Sequence, residues 1–492
     1  MARLTDCPPE VLLEICKKLA LSLQQDEDGY LPPSSCPETP DPLVCRAAIA
    51  RLMRTCRKLH DVAGCLLYSG HYRVGHPSES FVFLRNFDDR AQPQESRAEL
   101  VRHADLHTNL YRNSPAEIEW SSEQESLTDV AWISEMAAGL GICLPADWKN
   151  KRGETDDERW DRIVELANQL LVQRLATLTG LDLEFSRNWS FELLHEWAGQ
   201  QRWGIADLLP NLRRLRIRLR SAEAAGFKCH KLILDSAPNL STLEVHGTLS
   251  YTVPAGCRLA SLRTLKFVDC STDCDSMKDV VLAAPHVTHL EYRQVPSGDL
   301  TPKDPLLAPQ MLCDLLRNDY ARANPVPGDP KTKKLELPNL HRQLRILVLD
   351  FHSDDRLYEW DTREVVANLR DFPELKRLRI DTHSFTSRAN GGNNLLINNL
   401  STLIPEGLEA LEITSVGRFC LEELTRTSLT AIGALHRKGR FPKLARIELA
   451  DCELGGQYAR QIFAINIKGV FERPGAPIIV VNGRIQRHEQ SK

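Results

Sequence analysis

The chain has 492 residues, of which 42% are hydrophobic and 26% are charged. This composition is apolar enough to bury a core and excludes wholesale disorder. Because a single hydrophobic core stops growing well below this length, we expect more than one domain or an elongated repeat array. The formal net charge of −4 gives no indication of general binding to nucleic acid or to an anionic membrane surface.

The beginning of the chain does not have the form of a secretory signal, because charged residues interrupt its apolar ones at Asp6, Glu10, Glu14, Lys17 and Lys18. No window approaches the roughly 18 consecutive apolar residues that a membrane span needs. We therefore expect a cytoplasmic or nuclear protein without a membrane partner. The 14 cysteines are then expected to be free thiols rather than disulfides.

Residues 1–70 are expected to form a helical module. Pro8 and Pro9 suit the first turn of a helix that runs to about residue 19. The apolar positions on one face of that helix are Leu12, Ile15, Cys16 and Leu19. A polar, Pro- and Ser-rich insertion at 24–45 precedes a second predicted helix, from about Arg46 to Ala63.

So short a module has surplus apolar surface, because fewer than about 70 residues make only a marginal core. That surplus must meet either another protein or the rest of this chain. In the second case the helices are merely a cap on the segment that follows, and the pattern alone leaves both alternatives open.

Two groups of residues carry a family resemblance. The first group is Pro8, Glu10, Val11, Leu12, Ile15 and Leu19, and the second is Leu52, Cys56, Arg57, Leu59 and Leu67 with Tyr68. Together they resemble an F-box, in the form common in fungal proteins, over about the first 70 residues. The chain departs from the family where Cys7 replaces a Leu and where Leu59 or His60 replaces a frequent aromatic. Its inter-helix loop is also longer by about 20 residues, an insertion that costs little stability.

The resemblance implies a partner and a set of contacts. F-box modules dock on the Skp-type linker subunit of a cullin-based (SCF) ubiquitin ligase, and apolar helical anchors fill a groove on that linker. The implied linker contacts are Pro8, Pro9, Leu12, Ile15, Leu52 and Cys56. Catalysis in such an assembly belongs to other subunits, so the resemblance implies an adaptor with no catalytic residue, metal or cofactor.

Residues 71–175 show no repeat and are predicted to be a helical linker. Helical spacing of apolar residues is found at about Glu95–Leu110, Leu127–Ile142 and Trp160–Leu175. We expect these helices to join the first module to the segment that follows and to cover its end, because a terminal repeat needs a polar cover.

Residues 176–485 contain a recurring pattern of Leu, two residues, Leu, one residue and an apolar residue. Its nine occurrences begin at Leu178, Leu212, Leu240, Leu262, Val287, Leu344, Leu375, Leu408 and Leu444. This pattern is typical of leucine-rich repeats. Alternation of Leu with other residues gives a short strand with one buried face, and stacking of neighbours buries that face in a parallel sheet.

The predicted fold is therefore α/β: the helical module, the linker and an irregular leucine-rich-repeat solenoid, followed by a tail at 486–492. Strands form the concave face and helices the convex face, with helices predicted at Met277–Ala284, Pro309–Tyr320, Glu364–Phe372 and Leu424–His436. A conventional α/β domain is the alternative, but it predicts longer apolar strands and a Gly-rich ligand turn.

The residues between the Leu positions are expected to face the concave side, where they form a mixed charged surface. We predict that basic or titratable members of this surface bind a protein target of some acidic character. These members are Arg214, Arg216, Arg218, His289, Arg377 and Arg379. The alternative is an ordinary solvated charged face with no partner.

Motifs for catalysis were sought and none is present. There is no phosphate-binding loop and no nucleophile elbow. His103 and His107 lack the Glu of a zinc-protease motif, and Cys270 with Cys274 lacks the second pair of a zinc site. The sequence predicts a non-enzymatic substrate adaptor of an SCF-type ligase, with a Skp-type linker, the cullin ligase and an unidentified target as partners. The alternative is a leucine-rich-repeat scaffold outside any ligase.

Overall fold

The structure is a computed structural model of the chain. It describes residues 7–19, 42–69, 71–73, 99, 101–107, 131, 133–139, 141–144, 148, 156–185, 208–219, 231–247, 251, 253, 256–294, 307–319, 337–351, 364–388, 395–415, 424–450 and 478–482. The chain divides into two compact units, residues 1–220 with 228–240 and residues 221–227 with 241–492.

Three helices open the first unit: α1 (Pro9–Leu19), α2 (Pro42–Met53) and α3 (Arg57–Ser69). The first is the predicted helix, while the insertion at 24–41 lies outside the described residues. The single helix predicted over Arg46–Ala63 is wrong, because the chain turns between α2 and α3. At that turn the amide and hydroxyl of Thr55 both donate to the Leu52 carbonyl, at 3.1 and 2.7 Å.

The rest of the first unit carries a parallel sheet. Its strands, in spatial order, are β1 (His71–Arg73), β2 (His103–His107), β3 (Gly180–Phe185) and β4 (Arg214–Leu219). Its helices include residues 133–139, α4 (Asp156–Arg174) and α5 (Lys231–Asp235).

The helix predicted at Glu95–Leu110 is wrong, since β2 lies within that range. The segment predicted as a helical linker also contains β1. The predicted helix at Trp160–Leu175 is confirmed as α4. Val101, Ala104 and Leu106 are buried, and they repeat the spacing of the Leu positions with smaller residues. The spacing of the repeat pattern is therefore present before and within β2, but Val101 and Ala104 stand where the other repeats have Leu.

The second unit carries a longer parallel sheet. Its strands, in spatial order, are β5 (Thr242–His246), β6 (Thr264–Val268), β7 (His289–Arg293), β8 (Ile346–Asp350), β9 (Arg377–Asp381), β12 (Ala410–Thr414), β13 (Arg446–Ala450) and β14 (Ile478–Asn482). Two short strands, β10 (Thr386–Arg388) and β11 (Leu395–Ile397), pair antiparallel apart from it. All nine predicted strands, in the two units together, are confirmed.

Helices occupy several connections of this unit: α6 (Cys274–Ala283), α7 (Pro309–Arg317), α8 (Leu400–Leu403) and α9 (Thr430–Arg437). Three of them match predicted helices. The helix predicted at Glu364–Phe372 is wrong, because those residues form turns and irregular chain. The molecule is thus an α/β protein with parallel sheets and helices, an architecture compatible with a solenoid.

The core of the second unit contains a column of aromatic rings. The ring centroids of Tyr251 and Phe267 lie 5.6 Å apart, those of Phe267 and Tyr292 6.3 Å, and those of Tyr292 and Phe351 5.0 Å. All four side chains are fully buried. The Tyr292 hydroxyl accepts a hydrogen bond from the Thr272 amide at 3.2 Å, which satisfies a polar group that would otherwise be costly to bury.

A repeated backbone joint links successive repeats of the second unit. The carbonyl of the residue before each of β5, β6, β7, β8 and β9 accepts two amide hydrogens from the next repeat. Arg263 binds the amides of Thr288 and His289 at 2.8 and 3.0 Å, and Arg345 binds those of Lys376 and Arg377 at 2.9 and 3.0 Å. This joint keeps the strands in register from one repeat to the next.

Candidate protein-binding surfaces

Helix α1 presents an apolar face to solvent. Among the described residues, the exposed large apolar side chains are Val11, at 45%, and Ile15, at 37%, and both belong to α1. They are four residues apart and so lie on one side of the helix. Pro8 and Pro9 beside them are also exposed. Neighbouring exposed apolar side chains make this side of α1 a candidate contact site for another molecule.

The opposite side of α1 is buried in the module. Cys16 forms a small core with Ile49 and Ala63, against which Met53 and Val62 pack. The remaining predicted linker contacts divide between the two sides: Leu12 is fully buried, while Leu52 and Cys56 are half-buried. The structure thus brings Pro8, Pro9 and Ile15 together at the surface and places Leu12 inside.

The polar face of the first unit's sheet is charged, and its charges pair with one another. Arg214, Arg216 and Arg218 alternate along β4 with buried apolar residues, as predicted. The carboxylate of Asp182 on β3 lies 3.1 Å from Arg216 and 3.5 Å from Arg218. Glu184 lies 3.9 Å from Arg218. The carboxylates of the neighbouring strand therefore largely neutralise the charges of Arg216 and Arg218.

In the second unit's sheet, too, charged side chains of neighbouring strands pair with one another. The ammonium of Lys266 lies 3.3 Å from Glu244 and 4.0 Å from Glu291, and Arg293 lies 2.6 Å from Glu291. The two glutamates are more than nine-tenths buried, so their pairing with cations offsets the cost of removing charge from water.

Two more predicted target contacts belong to this face. Arg379 of β9 lies 3.4 Å from Glu412 of β12. His289 of β7 is half-buried, and burial lowers its pKa, an effect that the charge of Lys266 increases. Both effects favour the neutral form of the His289 imidazole.

A second group of positively charged residues lies at one edge of the second unit's sheet, where its strands begin. We define the amino rim as the residue before each strand and the first residue of that strand, for β6, β7, β8, β9, β12 and β13. Its charged members are the cations Arg263, Arg345, Lys376, Arg377 and Arg446 and the anion Glu409. All five cations are exposed. Arg377 was among the predicted target contacts, and Arg446 was expected on the same face. The other three were not predicted, because charge alone does not reveal which cations have partners.

The buried thiols of Cys16, Cys270 and Cys313 do not have the properties of nucleophiles. Burial raises the pKa of the Cys313 thiol to about 12 and also raises that of Cys16. Cys270 is buried and its sulfur lies 3.3 Å from the carbonyl oxygens of Val245 and Val268. These cysteines are small core residues rather than reactive groups.

Within the described ranges, no three His, Cys, Asp or Glu side chains are grouped so as to hold a metal ion. Over the same ranges, no helix combines the length and apolarity needed to cross a membrane. A scan against models of protein families finds no match, and a search among curated proteins also finds none.

Proposed function

We propose that this protein is a substrate-recognition adaptor of an SCF-type ubiquitin ligase. Its N-terminal helices bind the Skp-type linker in the manner of an F-box, and its repeats bind the protein to be ubiquitinated. The adaptor supplies proximity, which makes transfer to the target effectively intramolecular, while other subunits perform the chemistry.

The observation that supports this proposal most directly is the position of the exposed apolar side chains. Val11 and Ile15 lie on α1 beside Pro8 and Pro9, inside the segment that resembles an F-box. Burying a side chain of this size in a partner contributes roughly 2 kcal/mol, or a factor of ten or more in Kd. Two such anchors are enough to make docking depend on this face.

A second candidate function is a repeat scaffold whose helices only cap their own chain. The burial of Leu12 favours it, because a residue with no exposed surface cannot contact a partner without rearrangement. Half-burial of Leu52 and Cys56 is consistent with either function.

The experiment is co-purification of the full chain with a Skp-type linker. The informative variant is Val11→Ser with Ile15→Ser, since both side chains are exposed and their loss leaves the module's core intact. The matched control is Arg51→Ser with Arg54→Ser, two exposed residues of the α2 end. We expect the wild type and the control to bind the linker and the α1 variant to lose binding by at least tenfold.

Two other outcomes contradict the proposal. A wild-type chain that is folded, as judged by its thermal unfolding, and that does not bind the linker would leave the scaffold function. Equal binding by the wild type and the α1 variant would place the linker contact elsewhere on the chain.

A further inference from the structure

The amino rim differs from the rest of the second unit's polar sheet face in its charge balance. The middle positions of the strands combine Glu244 and Glu291 with Lys266, and Arg379 with Glu412. The amino rim has five cations and only one anion, Glu409, which is 3.2 Å from Lys376. The face therefore carries its excess positive charge at the edge where the strands begin.

Among the residues that the structure describes, two of these cations have neither a hydrogen-bond nor an ion-pair partner. Arg345 and Arg377 are exposed, and within the described part of the chain neither guanidinium makes a hydrogen bond or an ion pair. They are close in the fold, because the Arg345 carbonyl accepts the Arg377 amide at 3.0 Å. An exposed Arg normally gains by pairing with an available anion, and its planar fork is suited to a carboxylate.

The residues between the cations indicate what kind of anion carrier fits. Ile346 is opposite Arg377 across the β8–β9 pair, and Ala410 is opposite Arg377 across the β9–β12 pair. Both are partly exposed. Aliphatic residues beside guanidinium groups match a polypeptide whose acidic side chains alternate with small apolar ones.

A nucleic acid fits this rim poorly. Its positions in the described strands include no Phe, Tyr or Trp, the side chains on which unpaired bases stack. The rim also includes the carboxylate of Glu409, 3.2 Å from Lys376, which interrupts the run of cations along it.

We propose that the amino rim of the second unit binds an unmodified acidic segment of the target protein, with Asp or Glu carboxylates paired to Arg345 and Arg377 and small apolar side chains against Ile346. This proposal rests on the proposed function in so far as the segment belongs to the protein to be ubiquitinated. It names the feature of the target that the repeats recognise.

The test measures binding of a fluorescent peptide of alternating Glu and Ala to the full chain by fluorescence anisotropy, at low and at physiological ionic strength. The variant is Arg345→Gln with Arg377→Gln. The control is Arg370→Gln with Arg437→Gln, which removes the same charge from exposed positions outside the rim. Comparison probes are the same peptide with Gln for Glu, a phosphoserine version, and single-stranded oligothymidine.

We expect the rim variant to bind the Glu peptide at least tenfold more weakly than the wild type and the control, with a difference that shrinks as salt is added. Equal binding by the variant and the wild type, or an equal loss in the control, would overturn the proposal. Tighter, rim-dependent binding of the phosphoserine peptide or of oligothymidine would also overturn it, in favour of a phosphorylated or nucleic-acid partner.

Linker binding by the same proteins separates this proposal from the proposed function. We expect the rim variant to co-purify with the Skp-type linker as well as the wild type does. If no form binds the linker while the Glu peptide still needs Arg345 and Arg377, the adaptor function fails and the rim remains an acidic-peptide site.

Discussion

The N-terminal helices and the sheet of the second unit differ in how completely they bury their apolar side chains. The helices keep a core as small as Cys16, Ile49 and Ala63 and leave Val11 and Ile15 in solvent. The sheet buries the Leu positions of its repeats and the aromatic column, and it leaves Ile346 partly exposed. The helices therefore have apolar surface to offer a partner, whereas the sheet must recognise one mainly through charge. The two binding surfaces should consequently differ in their response to salt.

The largest expected effect is on the sheet. Tyr292→Ala removes the middle of the aromatic column, and truncation of a fully buried ring costs about 3–5 kcal/mol. Tyr292→Phe is the control: it keeps the ring and loses only the acceptor for the Thr272 amide, which costs about 1–3 kcal/mol. Urea unfolding measures both, and a similar loss in the two variants would show that the hydroxyl, rather than the ring, stabilises this core.

An intermediate effect on stability is expected when a buried residue of α1 is replaced, and a much smaller one when an exposed residue of α1 is replaced. Leu12→Ala removes a fully buried side chain and is expected to cost about 2–4 kcal/mol. Ile15→Ala, one turn further along, is expected to change stability by less than about 0.5 kcal/mol, because Ile15 is exposed. Thermal unfolding of both variants measures the difference. Equal costs would mean that α1 buries both side chains in solution and would remove the basis for a docking face.

The smallest effect concerns a buried carboxylate at the carboxyl end of β9. Burial, and secondly the charge of Asp350, raise the pKa of Asp381 from its ordinary value of 3.8. The folded protein then holds this proton more tightly than the unfolded chain does. Asp381 therefore loses stabilising effect as the pH rises from 3.8 through the raised pKa.

Asp381→Asn tests that direction, since an amide does not titrate. The variant gives up one acceptor, because the Asp381 oxygens bind the amides of Phe351 and Ser384 at 2.7 and 3.0 Å. We expect its stability deficit in urea unfolding to become smaller as the pH rises above 3.8. A deficit that grows with pH would mean that these hydrogen bonds outweigh burial and hold the carboxylate in its charged form.

The repeat strands could be predicted because one chemical pattern, Leu at fixed spacing, forms each of them. The pattern fails where other residues take the Leu positions, as Val101 and Ala104 do before and within β2. It also fails at β14, which is a run of β-branched residues from Ile478 to Val481 without a preceding Leu. Strand formation there follows from the β propensity of branched residues rather than from the repeat signature.

The candidate surfaces were less predictable than the strands. The arginines predicted to face the concave side were identified from alternation alone, but pairing depends on residues far apart in sequence, such as Arg379 with Glu412. Arg345 was not predicted for the same reason, since only the fold shows that it makes no ion pair with another described residue. On α1, the sequence placed Leu12 and Ile15 on one face, and the packing of α2 and α3 decides which of them remains in solvent.

The doubled hydrogen bond before β6, β7, β8 and β9 has a consequence for how such a protein can change in evolution. Since the carbonyls of Arg263, Thr288, Arg345 and Lys376 all make the same connection to the following repeat, the joint does not depend on side-chain identity. A duplicated repeat would meet the same acceptor on one side and offer the same acceptor on the other. The length of the sheet could therefore grow or shrink by whole repeats, whereas side chains that pair across neighbouring strands, such as Arg379 with Glu412, would have to change together.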